Sequence, residues 1–337
     1  MKPGRGWGGL AAAIVLSAAA QGLAGCMTLG MAAMAVPAAA VLAPRGPTPE
    51  AADPPGTREA PRALAGAPRV ALALGSGSLR GFAHVGVLAA LEEAGIRPDL
   101  IVGTSAGSMV GSLAASGLSA AQIDRASHEL DWTVLADVAF PRRGIVGGER
   151  VEAFVRRHAG DRPIESLPVP FAAVAADART GEAVVLDRGD TAAAVRASSS
   201  VPVVFEPVSA RGRLLVDGSL AAPTPVRIAR SLGADIVVAV NVAWSPEEAA
   251  LRNPLDMLFQ AMQVMAHNLN RNELAHADIV IAPDIRSLGS VSLANRGAIV
   301  ASGERAGRAA VPAVREAIAR WQAARAVAAA PPSGARP

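Results

Sequence analysis

The sequence predicts an α/β domain built on a largely parallel sheet. Three observations carry that expectation: short apolar runs that break at glycine, helical patterns that follow those breaks, and the alternation of the two along the chain. Val70–Leu74 reads as a buried strand closing in Gly75-Ser76-Gly77-Ser78, and a helical pattern follows through Val85, Leu88 and Leu91 to Gly95. Leu100-Ile101-Val102 reads as a second strand, with a helix after Ser105. Further strands are expected at 169–175, 183–186, 214–216 and 236–240, and helices near 148–158, 225–232 and 254–269.

The chain of 337 residues could hold one large domain or two, and half of it is hydrophobic, so core material is plentiful. A net charge of +3, nearly all of the positive charge being arginine, forms no basic stripe with interleaved aromatics. A nucleic-acid partner is therefore not expected. Lys2 and Arg5 precede an apolar run from Trp7 to Leu16 that continues through small residues to Leu23-Ala24-Gly25-Cys26. That order describes a secretory signal over residues 1–25. Its end resembles a bacterial lipobox, which makes Cys26 a lipidation site; an ordinary signal peptide with a chance cysteine is the plainer alternative. With Cys26 the only cysteine, no intrachain disulfide can form.

Residues 26–68 read as an Ala/Pro-rich tether, because repeated prolines remove donors and stiffen the backbone. The folded domain is expected over 69–312, followed at 313–337 by a helix end and a tail, disordered after Arg325. These features together describe a lipid-anchored protein of the cell envelope with its domain in the periplasm. Met27 after the cysteine favours the outer membrane over the inner. Oligomeric state leaves no signal.

Gly103-Thr104-Ser105-Ala106-Gly107 fits G-x-S-x-G between a strand and a helix, the setting of a nucleophile elbow. A sharp strand-to-helix bend forces its central residue into strained dihedrals and lifts the hydroxyl above the sheet. Side chains at Gly103 and Gly107 would collide with the turning backbone. The alternative is a plain turn in which Thr104 or Ser105 caps the helix.

The turn Gly75-Ser76-Gly77-Ser78-Leu79-Arg80-Gly81 admits two chemical readings. Dinucleotide binding wants G-x-G-x-x-G, but Arg80 stands where the third glycine belongs and Gly81 comes one place late. The following strand also ends without the carboxylate that would hold a ribose. An oxyanion hole fits better, with amides near Gly77 and Ser78 aimed at a developing alkoxide. Arg80 would then order the loop or meet an anionic head group. A merely structural glycine turn stays open.

Asp217 ends the apolar run Leu214-Leu215-Val216. An acid there is expected at the carboxyl edge of a parallel sheet, where burial can raise its pKa and make it a general base. Asp217-Gly218 as an ordinary β-turn is the alternative. Among the histidines, His267 and His276 could complete a Ser…Asp…His order, but both lie in or just beyond a helical pattern and read as surface or packing residues. The methionines of that helix (Met257, Met262, Met265) read as core. No cluster has metal-ligand spacing, so neither a metal nor a cofactor is expected.

In this order and separation the three motifs resemble those of the bacterial patatin-like phospholipases. The resemblance runs from about Arg69 to about Val311 and includes R-G-F-A-H-V-G-V-L, P-D-L-I-V-G-T-S-A-G, Arg196–Pro202 and L-V-D-G-S-L. It implies a three-layer α/β/α fold and a Ser–Asp dyad that hydrolyses acyl esters of membrane lipids without calcium. Carried over, Ser105 is the nucleophile, Asp217 its base, and the amides around Gly77 and Ser78 the oxyanion hole. Ser76 and Ser78 interrupt the longer glycine run of plant-type members. If either needs positive φ, the serine costs on the order of 1 kcal/mol or more. Those serines motivate the rival expectation of a catalytically silent envelope lipoprotein that binds lipids or partners; a three-residue triad using His267 or His276 is a further rival.

Overall fold

The computed structural model describes residues 67–130, 144–210, 212–245, 251, 254–288 and 291–329. The expected signal, Cys26 and nearly all of the tether lie outside these residues, as does the tail from 330. Ten strands and eight helices are described: β1 Val70–Leu74, α1 Phe82–Glu93, β2 Leu100–Thr104, α2 Ala106–Ala115, α3 Ala120–Ser127, β3 Gly144–Val146, α4 Glu149–Ala159, β4 Phe171–Asp177, β5 Ala183–Leu186, α5 Thr191–Ser198, β6 Val203–Phe205, β7 Val208–Ala210, β8 Arg213–Asp217, α6 Val226–Ser231, β9 Ile236–Val240, α7 Pro254–Leu274, β10 Ile279–Ile281 and α8 Arg296–Ala329.

The main sheet runs β10-β9-β1-β2-β4-β8-β7, with β5 also on β4; β3 and β6 pair apart. Strands β10, β9, β1, β2 and β4 are mutually parallel. β1, β2 and β9 are buried on both faces, which is why they read as continuous apolar runs. One face carries Leu72, Leu74, Ile101, Phe171 and Val238 against the helical layer of α1, α2, α4 and α8. The other carries smaller residues (Ala71, Ala73, Val102, Ala172, Ala239) against α6. The result is the expected three-layer α/β/α fold.

The short elements β3, β6, β7, β10, α3 and α5 are absent from the sequence expectation, and of α8 only its end after 312 was expected. The boundary expected at 312 falls inside α8, which holds Pro312 and continues to Ala329, past Arg325. Packing explains why: α8 lies along α1 with glycines at the seam. A Cβ on Gly86 would run into the carbonyl of Val300, and one on Gly303 into that of Ala83. The helix is therefore an integral layer, and its Val314 is fully buried.

Candidate active site

Ser105 sits between β2 and α2 with φ 54° and ψ −121°, a conformation that L-residues rarely adopt. The surrounding structure over-determines it. Its carbonyl accepts the amides of Ser108 at 2.8 Å and Met109 at 3.1 Å, which start the helix. Its own amide donates to Ser198 Oγ at 2.9 Å. Thr104 Oγ1 donates to the Ala222 carbonyl at 2.8 Å, tying the end of β2 to the segment after Asp217. The two glycines have steric causes: a Cβ on Gly103 would strike the Gly107 carbonyl, and one on Gly107 the Leu74 carbonyl. The result is a sharp, strained strand-to-helix bend with Ser105 at its centre.

Asp217 reaches the elbow by an unexpected route. β8 runs antiparallel to β4, so Asp217 is not carried to the site as the carboxyl end of a parallel strand. Pairing register does the work instead. One edge of β4 is taken by β5 along residues 173–176. The other edge is shared: β2 pairs with 171–174 in parallel, and β8 with 175–177 in antiparallel. β2 and β8 thus meet end to end. Thr104 lies beside Val174 and Asp217 beside Ala175, which brings the acid level with Ser105. A Cβ on Gly218 would lie 2.1 Å from Val174 O and 3.0 Å from Thr104 Cγ2, so the two ends are in contact and the glycine is needed there.

The Asp217 carboxyl is 1% exposed. Burial pushes its pKa up, while the Ser105 hydroxyl and the amide and hydroxyl of Ser219 pull it back by favouring the charged form. Oδ1 accepts the Ser219 amide at 2.8 Å. Oδ2 is buried with no hydrogen-bond partner among the described residues. The Ser105 hydroxyl is therefore close enough to act on the charge of Asp217, yet no closed hydrogen bond joins them. Loose contacts of this kind are common at sites awaiting substrate.

The glycine-rich turn separates its amides into two groups. Gly75 N–H donates to Val240 O at 3.0 Å and Ser76 N–H to Pro223 O at 2.8 Å, both spent on holding the loop to the sheet. Among the described residues, no acceptor is recorded for the amides of Gly77 and Ser78, which leaves them available to an incoming oxyanion. Gly77 cannot carry a side chain, since a Cβ would lie 2.6 Å from Val242 O. Gly81 fits against Ala106, placing the loop on the first turn of α2. Ser78 adopts φ 51°, so the strain anticipated for a serine there is present; Ser76 is spared it. Arg80 is held tightly beside the loop. Its side chain is 3% exposed, stacked 3.9 Å from the Trp244 ring centroid, with Nη1 donating to Ala243 O at 3.4 Å.

A family profile for patatin-like phospholipases matches residues 72–230, a stretch that takes in the loop, the elbow and Asp217. Residues 72–230 form a patatin-like phospholipase family domain. A Mycobacterium tuberculosis protein described as an uncharacterized NTE family protein is 40% identical over 187 residues, covering 53% of this chain and 50% of its own. A second such protein from that organism is 31% identical over 269 residues, covering 72% of this chain and 46% of its own. Mouse patatin-like phospholipase domain-containing protein 6 is 34% identical over 186 residues, 53% of this chain and 14% of that protein. The chain spans about half the length of the mycobacterial relatives it matches. Among solved structures, VipD from Legionella pneumophila aligns with a TM-score of 0.48 at 15% identity, over 73% of this chain and 67% of that one.

Two residues of this patatin-like site were assigned no role from the sequence. Ser198, fully buried, accepts from Ser105 N–H and donates to Val174 O at 2.6 Å. His84, also fully buried, bonds through Nε2 to Gly75 O at 2.8 Å. Burial lowers the His84 pKa to about 4, so the ring is neutral at neutral pH and Nε2 carries the proton that it donates to the carbonyl. Both residues sit in motifs that were quoted for the resemblance, but a helical histidine and one serine among three give no local sign of their partners. His267 is half-buried and His276 exposed, and among the described residues no histidine bonds to Ser105 or Asp217.

Proposed function

We propose that this domain is a lipid acyl hydrolase working through a Ser105–Asp217 dyad. One observation carries the reading: a buried carboxylate with one uncommitted oxygen lies level with a serine held on a strained bend. Family membership supports the class of reaction. Asp217, ionised, takes the Ser105 proton as Oγ attacks the ester carbonyl. The amides of Gly77 and Ser78 hold the resulting oxyanion. The tetrahedral adduct collapses, the C–O bond to the alcohol breaks, and Asp217 returns its proton to that leaving oxygen. Water then adds to the acyl-enzyme, giving its proton to Asp217; the C–Oγ bond breaks, Asp217 returns that proton to Ser105 Oγ, and the fatty acid leaves.

The substrate in this reading is an acyl ester of a membrane phospholipid or a related lipid. The lipidated Cys26 belongs to the same proposal: an anchor there, in the outer membrane, would hold the domain at its substrate in the periplasm. Ser105→Ala tests the chemistry. The wild type should release fatty acid from phospholipid and be labelled by a fluorophosphonate, and the variant should do neither. Labelling retained by the variant refutes the assignment. A wild type that binds lipid yet turns over no acyl ester points to the silent binding protein.

A further inference from the structure

Helix α7 leaves a row of apolar side chains outward. Pro254, Met257, Leu258, Ala261, Val264 and Met265 are exposed at helical spacing and form one apolar stripe along its first half. Met265 is 62% exposed and Met257 54%, which overturns the expectation of core for these two; Met262 is half-buried. Inward, Phe259 is buried, and polar groups are buried with it. Glu273 is 3% exposed and held by Arg227, through Nε at 2.6 Å and the backbone amide at 3.0 Å. Asn270 donates to Asn241 at 3.0 Å.

The charges of α7 are sorted as well. Asp256 is half-buried and engaged, Glu273 is buried, and Arg271 stands exposed in line with the stripe. The outward face is thus apolar along one half and cationic at its far end, with both acids turned away from it. That is the complement of an anionic lipid surface, where apolar side chains enter the acyl boundary and a cation meets head groups. The helix also packs on the turn Gly218–Leu220 that follows Asp217, so α7 lies next to the segment that carries the acid.

We infer that the outward face of α7 docks this domain onto an anionic bilayer beside the active site, an inference that rests on the hydrolase reading for its choice of lipid. The test uses the full chain with Cys26→Ser and an environment-sensitive fluorophore at Met265→Cys. A control carries the fluorophore at Arg97→Cys, exposed in the loop that enters the opposite end of β2. Phosphatidylglycerol vesicles should blue-shift emission at 265 and leave 97 unchanged. No shift at 265, or equal shifts at both positions, overturns the inference. So does a blue-shifted 265 without vesicles, which in a dimer reports a second copy on the stripe and in a monomer another part of the chain. In the unlabelled protein, Met257→Glu with Met265→Glu should lower the ratio of vesicle-lipid to soluble-ester turnover about tenfold or more; an unchanged ratio also overturns it. A wild type that cleaves neither substrate sinks the hydrolase reading, while the fluorescence still decides docking.

Discussion

Ser198 Oγ accepts the Ser105 amide at 2.9 Å and donates its own hydrogen bond to Val174 O at 2.6 Å. Two residues on, the Ser200 carbonyl accepts the Asp217 amide at 2.8 Å. The C-terminal end of α5 therefore grips both members of the proposed dyad, one through a side chain and one through backbone. α5 is itself anchored at its start, where Asp190 caps it by accepting the Ala193 amide at 2.9 Å.

Ser198→Ala should expose how much the elbow depends on this grip. It strands the buried Ser105 N–H and deprives Val174 O of a donor, costing about 1–3 kcal/mol of stability. Because the strained Ser105 backbone loses a restraint, kcat should fall while KM stays near wild type. Denaturant unfolding and ester kinetics on the same preparation check both halves. Equal losses in kcat/KM and KM would instead mean that substrate binding was damaged.

Asp217→Asn separates activity from stability. Burial raises the Asp217 pKa, so the folded protein binds more protons than the unfolded chain between the ordinary carboxylate range and the raised value. Stability then falls as pH rises through that window, and the charged acid is a net cost at neutral pH. The variant should lose more than about 1000-fold in activity yet melt no lower than wild type at pH 7. That relative advantage should shrink below the ordinary carboxylate range. Melting curves from pH 3 to 8 give the comparison.

His84 predicts the opposite slope. Its pKa is lowered from 6.5 to about 4, so the unfolded chain takes up the proton first as pH falls. Stability is whole above the ordinary histidine value and is lost as pH drops from there toward 4, by about 3 kcal/mol across the window. His84→Gln, which keeps a donor for Gly75 O, should flatten this dependence. A melting temperature with the same pH slope in both proteins would contradict the buried neutral ring.

Ser78→Gly should relieve the positive φ at the oxyanion loop. The Ser78 side chain is exposed, so little contact is lost, and the gain should be about 0.5–1 kcal/mol. Turnover should equal or exceed that of wild type, since the amide survives the change. Reduced turnover in a more stable protein would mean that the serine hydroxyl itself contributes.

How far the sequence reached depends on the range of the forces involved. The elbow was legible because its cause is local: a bend that tight excludes a Cβ at Gly103 and Gly107 whatever else the chain does. The strands β1, β2, β5 and β9 were legible for the same reason, as apolar runs bounded by turn residues. Asp217 was identified, but the direction of its strand was not. Leu214-Leu215-Val216 reads the same in a parallel or an antiparallel partner, and only pairing with Ala175–Asp177 fixes it. Helical spacing likewise showed that Met257 and Met265 share a face without saying whether anything covers it.

Where the backbone must bend, and which residue types stand at the bends, is written into the local sequence, because steric exclusion and hydrophobic periodicity act within a few residues. The tertiary structure alone decided which groups face one another: Asp217 level with Ser105, Ser198 beneath the elbow, His84 under Gly75. Those meetings are set by strand register and helix packing between segments far apart in the chain. Many sequences share the local pattern, but one arrangement of the sheet makes the site.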